Sequence, residues 1–356
     1  MTHSSSRALV AFGWLALVAG CGTESRPGAA PGASCAQTPS EKNACFVAPG
    51  EFPPSDCDPS AKKCGGPKTC AIDESKCGTK STCLPLASND GRDIVDFRMR
   101  RLNIAAPDAL AALAVQRDII TRDMDLPHKE CGEAGDGTFN WLLRIDKTKQ
   151  TLTTGGAPPS DDPFANGYCF FNTKQNGIDI RPATDLKLTF RGDAFSSVSV
   201  KKLYMPIFRV SDPKSAIILP ISGATFRNVT LSEKASCIGA FNPSALAADC
   251  SDDPSACARW KTGGAIAGYI TLEEADSIDV GDLHVSLCVL LTKSTPDANG
   301  KCARSGGKIV PKGDFCGATG KACDCSDSFW LAATFAASAV TINDGASDPR
   351  CNGGTP

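Results

Sequence analysis

The chain has 356 residues, with 37 lysines and arginines against 39 aspartates and glutamates and a formal net charge of −2. Near-neutrality without a block of basic residues excludes the electrostatic footprint of a nucleic-acid binder, so no nucleic acid is expected as a partner. The hydrophobic fraction of 42 % is enough for a packed core, and the length sets a soft expectation of two or three domains.

Arg7 precedes an unbroken apolar run, Ala8–Ala19, of twelve residues. A spanning helix needs about 20, so the run fits the hydrophobic region of a secretory signal instead. It ends in Val18-Ala19-Gly20-Cys21. Small residues let the peptide enter a narrow protease site, and the thiol can receive a diacylglyceryl unit. These residues resemble the lipobox of bacterial lipoproteins processed by signal peptidase II. The resemblance covers residues 1–21 and implies a signal peptide at 1–20, lipidation of Cys21 and export to the cell envelope. Each buried CH₂ contributes about 0.8 kcal/mol and two lipid signals suffice for stable anchoring, so the membrane becomes a partner through the N-terminal lipid. In Gram-negative lipoproteins, Asp after the cysteine signals retention in the inner membrane. Gly22 stands there, which implies the outer membrane if the host is Gram-negative.

Residues 21–34 follow as a lipidated, flexible tether rich in Pro, Gly and Ala. Residues 35–88 form a cysteine-rich module holding Cys35, Cys45, Cys57, Cys64, Cys70, Cys77 and Cys83. Cys57–Cys70 and Cys70–Cys83 repeat one spacing, each with Cys-Gly inside and Thr-Cys at its close. So little apolar content cannot build a core, and bridges must replace one. Nineteen cysteines less the lipidated Cys21 leave eighteen, and an exported chain meets an oxidising compartment, so nine disulfides are expected. Seven lie in the module and eleven beyond it. Both counts are odd, which requires a bridge between the two parts if all pair. Zinc is disfavoured, because the mature chain has only His128 and His284 and no paired C-x₂-C spacing.

From Ser88-Asn89-Asp90-Gly91 onward the dominant period is two, the strand signature, through a β-rich body spanning 89–351 and a short tail at 352–356. Val95, Phe97 and Met99 alternate with Asp96, Arg98 and Arg100, which read as a solvated face. The phase then slips to Leu102 and Ile104, as at a bulge. Phe139–Ile145, Leu186–Phe190, Ile266–Ile270, Leu283–Leu291 and Phe329–Phe335 alternate likewise. One main helix is expected from Pro107, with Leu110, Leu113, Ile120 and Met124 on its stripe. Glu273–Asp276 adds a short helical turn. The pattern predicts a mainly β protein: the disulfide-rich module, then a β-sandwich or jelly-roll-like body with one main helix.

Candidate chemistry is sparse. Asp282, His284 and Ser286 alternate along the predicted strand and hold the ingredients of nucleophilic hydrolysis. Strand neighbours two apart are separated by about 6.5–7 Å, however, whereas a base must reach its partner at about 2.6–3.2 Å. A polar strand face is the better reading. Arg259-Trp260-Lys261 follows Cys257 and reads as a loop, where an exposed Trp between cations can stack on a sugar or grip an anionic ligand. Asp297-Ala-Asn299-Gly300 lacks the later acidic ligand of a calcium loop and reads as a tight turn. No cofactor motif, metal site or catalytic set is selected. The expectation is an envelope lipoprotein with a binding or structural role toward an envelope protein or glycan. One alternative is a lipid carrier whose cavity is lined by Leu283–Leu291 and Ala332–Ala339. The other is a secreted hydrolase using carboxylates or the Asp282/His284/Ser286 row.

Overall fold

A computed structural model describes residues 47–55, 86–112, 115–126, 135–175, 177–208, 216–241, 260–280, 283–322, 325–345 and 348–352. The lipobox with Cys21, the tether, most of the cysteine-rich module, Arg259 and Asp282 lie outside them.

The expected mainly β architecture is observed, as one large antiparallel sheet that curls on itself. Its long strands are β1 (Ile94–Ala106), β2 (Asn140–Asp146), β3 (Thr151–Ala157), β4 (Ala183–Arg191), β5 (Ala194–Ser197), β6 (Val200–Phe208), β7 (Ala216–Arg227), β8 (Gly264–Thr271) and β9 (Ser328–Ala339). Their order in the sheet is β5-β4-β3-β2-β1-β9-β8-β7-β6, with Val229–Thr230 beyond β5. Consecutive strands pair on each flank, and β9 returns from late in the chain to join the flanks at the centre. Its partners β1 and β8 run antiparallel to it, Phe97 facing Ala339 and Gly264 facing Phe335. The slip after Met99 is a register shift between Met99 and Arg101, as the change of phase predicted.

The flanks meet over a common core. Phe97, Met99, Trp141, Leu143, Ile145, Phe226, Ile270 and Phe335 are all fully buried in it. Trp141 of β2 meets Phe226 of β7 edge-to-face at 6.3 Å and donates Nε1–H to Thr154 Oγ1 at 2.9 Å. A buried aromatic of this size stabilises by roughly 2–3 kcal/mol through area alone. The curl also needs a place where backbones approach. A Cβ at Gly156 would lie 2.4 Å from Pro206 Cδ, so β6 crosses β3 over a residue that has no side chain. Phe208 N–H then donates to Thr138 carbonyl oxygen.

The other face of the sheet centre is also covered, which overturns the reading of Asp96, Arg98 and Arg100 as solvated. All three are buried. Arg98 donates Nε–H to Asn140 Oδ1 at 2.6 Å and a terminal N–H to Met124 carbonyl oxygen at 2.7 Å, and lies over the Tyr168 ring. Arg100 donates to Ser338 Oγ, and Asp96 accepts two N–H donors of Arg144 at 2.7 and 2.9 Å. Guanidinium groups tolerate burial when planar acceptors meet their donors, and here carbonyls, an amide and a carboxylate do so.

Two helical expectations change. The helix after Pro107 is broken into α1 (Asp108–Ala111), a π-helical turn (Gln116–Thr121) and α2 (Arg122–Met124). Leu110, Ile120 and Met124 still point to the core. The second change concerns Leu283–Leu291, which is not a strand. After α3 (Leu272–Ser277), residues Leu287–Thr292 form a short helix, α4. Leu287, Cys288, Val289 and Leu291 are buried all round it, so alternation carried no information about its period.

Three bridges staple the described residues. Cys169–Cys351 fastens the C-terminus beside the parallel pair Tyr168–Cys169 and Ile342–Asn343. Cys288–Cys302 ties α4 to the following loop, and Cys316–Cys325 closes a hairpin against β9. Segments of the cysteine-rich region also dock on the sheet. Leu86 and Ala87 donate to Ala339 carbonyl oxygen, and just past the region's end buried Asn89 bonds both Asp96 and Ala235 backbones.

Candidate functional site

Ser286 and His284 do not share a polar strand face. Ser286 is the N-cap of α4: its hydroxyl oxygen accepts from Val289 N–H, while its O–H donates to Asp276 Oδ1 at 2.9 Å. Asp276 also accepts from Cys302 N–H and from Arg304, each at 2.8 Å. Burial pushes the Asp276 carboxyl up, but the Cys302 N–H, Arg304 and the Ser286 hydroxyl outweigh it and hold the group below the ordinary value. Arg304 bonds Glu273 as well, so the cluster pins α3 to the start of α4 and to the segment that follows α4. His284 sits exposed just before this cap in a left-handed conformation at φ 50. A serine bonded to a buried carboxylate, with no imidazole between them, is a structural joint.

A second polar cluster, invisible in the sequence, joins β6, β7 and α3. Lys202 Nζ donates to Glu274 Oε1 and Oε2 at 2.6 and 2.7 Å and to Ser222 Oγ. Thr271, the N-cap of α3, accepts from Glu274 N–H as in a capping box, and its hydroxyl donates to Glu274 Oε2 at 2.7 Å. Ser222 lies at a register shift of β7 beside Gly223, whose φ is +65. A serine–lysine dyad would need a lysine lone pair. The three acceptors around Nζ instead take the three protons of an ammonium, so Lys202 locks the helix to the sheet. The residues are 20 and 72 positions apart, beyond any local motif.

The most site-like surface is the seam where residues 47–55 cross β8 and β9. Trp330 of β9 donates Nε1–H to Glu51 carbonyl oxygen at 2.7 Å, and Phe52 packs edge-on against its ring at 6.2 Å. Phe315 stacks on Trp330 from another side at 4.8 Å. A cleft of about 240 Å³ opens on one side of this arm, lined by Val47, Pro107, Asp108, Lys293, Lys312 and Asp314 among others. Asp314 accepts from Trp330 N–H at 2.8 Å. Burial pushes its carboxyl up to about 6, with the Asp108 charge adding to the rise and the Trp330 N–H opposing it. A second cavity, of about 320 Å³, lies under Gly50–Ser55.

Of the other expected ligand contacts, Trp260 and Lys261 form a two-residue strand against Ala240–Phe241 rather than a loop. Among the described residues, three acid and cysteine groups lie close enough to surround an ion: Cys169/Asp348/Cys351, Asp276/Cys288/Cys302 and Cys316/Cys325/Asp327. Each is built on a bonded cysteine pair, whose sulfurs offer no thiolate. Of the apolar residues expected to line a carrier cavity, Leu287, Val289 and Ala332–Ala339 are packed, Leu291 is buried at the edge of the 240 Å³ cleft, and Leu283 is exposed. Asp297 Oδ1 accepts from Asn299 and Lys301 N–H groups, which makes that segment the expected tight turn. The chain matches no protein-family model, no curated protein and no solved structure.

Proposed function

We propose that this chain is an exported lipoprotein, tethered to the cell envelope through lipid on Cys21, whose disulfide-stapled β body has a binding or structural role at the membrane surface. The observation that carries the reading is the framework of three bridges, Cys169–Cys351, Cys288–Cys302 and Cys316–Cys325, in a chain that opens with Arg7, an apolar run and Val18-Ala19-Gly20-Cys21. Such bridges persist where thiols are oxidised, the compartment to which the lipobox would deliver the protein. The serines and the lysine that resemble nucleophile or base are occupied in joints: Ser286 with Asp276, and Lys202 with Glu274 and Ser222. The seam around residues 47–55 instead offers concave surface beside aromatic and charged groups.

The test is incorporation of an alkyne-tagged palmitate in a bacterial host that exports the chain. Label should enter the intact sequence and vanish in Cys21→Ser, which should then leave the membrane fraction. Equal labelling of both chains would remove the anchoring reading.

A further inference from the structure

The cavity under residues 50–55 is lined by Gly50, Glu51, Phe52, Pro53, Pro54 and Ser55 of the arm, with Arg227 and Asn228 at the end of β7 and Ala265 of β8. Two features of it are unusual. Arg227 is exposed, its guanidinium carbon lies 3.9 Å from the Phe52 ring centroid, and it has no acidic partner among the described residues. A guanidinium held over an aromatic ring spends none of its N–H donors on that contact, and they keep the fork that suits a carboxylate. The second feature is Ser55, only 2 % exposed, whose hydroxyl has no hydrogen-bond partner among the described residues although it lines the cavity. A buried hydroxyl left unmet is costly, and a ligand that bonds it recovers that cost.

We propose that this cavity is a binding site for a single hydroxylated monocarboxylate of the sugar-acid class. Arg227 takes the carboxylate, Ser55 takes a ring or exocyclic hydroxyl, and Phe52 with Ala265 gives the apolar walls. The volume falls at the low end of the roughly 300–1,000 Å³ range of small-molecule sites and is sufficient for one sugar ring. Pro53 and Pro54 contribute no backbone donors, and Arg227 is the one cation among the lining residues. Glu51 also lines the cavity, and its carboxylate repels a phosphate or a polyanion more than a single negative charge. The proposal gives the binding role a specific site and rests on that reading, but not on lipidation.

The experiment is saturation-transfer NMR with calorimetric titration of the full exported protein, using D-glucuronate as the probe and D-glucose as its uncharged analogue. Glucuronate should bind, glucose should bind at least about tenfold more weakly, and Arg227→Gln should weaken glucuronate by about tenfold or more. Ser55→Ala should weaken it by about three- to tenfold without lowering Tm, because the hydroxyl holds no partner in the free protein. The proposal is overturned by an absence of glucuronate binding, by equal affinity for glucose, or by affinity unchanged in both variants. A failure to label Cys21 would leave these outcomes untouched, so the two readings fall separately.

Discussion

Ser286 Oγ donates to Asp276 Oδ1 at 2.9 Å, across the turn that connects two six-residue helices. The hydroxyl thereby meets both a helix cap and a buried carboxylate. Ser286→Ala removes both, and a cap alone is worth about 0.5–2 kcal/mol, so a loss of about 2 kcal/mol is expected in urea unfolding. His284→Ala, two residues away and exposed, should change stability by less than about 0.5 kcal/mol. Equal losses in the two variants would mean that His284 shares the joint after all.

Stability should vary with pH in two opposed ways. Burial pushes Asp314 and Asp123 up to about 6 from the ordinary 3.8. The folded state binds those protons more readily than the unfolded chain, so stability falls as pH rises from about 4 to about 6 and levels off above. Asp348, held down by Arg350, and Asp276, held down against burial by its three donors, act the other way. Their contribution is present above about pH 4 and is lost as the solution becomes more acidic. The midpoint of chemical unfolding should therefore peak near about pH 4. Asp314→Asn should flatten the limb between about pH 4 and 6 and raise stability at pH 7 by on the order of 1–3 kcal/mol. A variant with the slope of the native protein would show that Asp314 ionises freely.

The arm at residues 47–55 should depend on one indole. Trp330→Phe keeps a ring between Phe52 and Phe315 but removes the donor to Glu51 carbonyl oxygen. Loss of that bond should cost about 1–2 kcal/mol and speed cleavage after Glu51 by a glutamate-specific protease. Unchanged cleavage would mean that the arm is held by its other contacts, the Val47 packing and Arg227 over Phe52.

How much of this was legible depended on whether the informative contacts were local. Val95–Ile104 disclosed both a strand and its bulge, because alternation and its slip lie within one segment. Thr271 and Glu274 stand at capping-box spacing, so α3 was readable as a short turn. Ser286 is a favoured cap residue, but Val289 stands where a capping box has Glu or Gln, the apolar alternation around it suggested a strand, and a helix buried on most sides has no polar face to reveal its period. The polar clusters were unreadable for another reason. Arg98 finds Asn140 and Met124, and Arg100 finds Ser338, at separations of 42, 26 and 238 residues. A solvated arginine on a strand has the same one-dimensional pattern as a buried one.

Arg98 gives the sharpest test of that buried layer. Its guanidinium donates to Asn140 Oδ1, Met99 carbonyl oxygen and Met124 carbonyl oxygen, all within the sheet and its covering helix. Arg98→Met preserves much of the volume and strands three acceptors, so a loss of about 3–5 kcal/mol is expected. Adding Asn140→Leu removes one stranded acceptor, and the double variant should be more stable than the sum of the single changes predicts by about 1 kcal/mol or more. Additive losses would show that Arg98 and Asn140 contribute through packing alone. Recovery would show that the arginine's role is to satisfy the polar groups that the curl of the sheet removes from water.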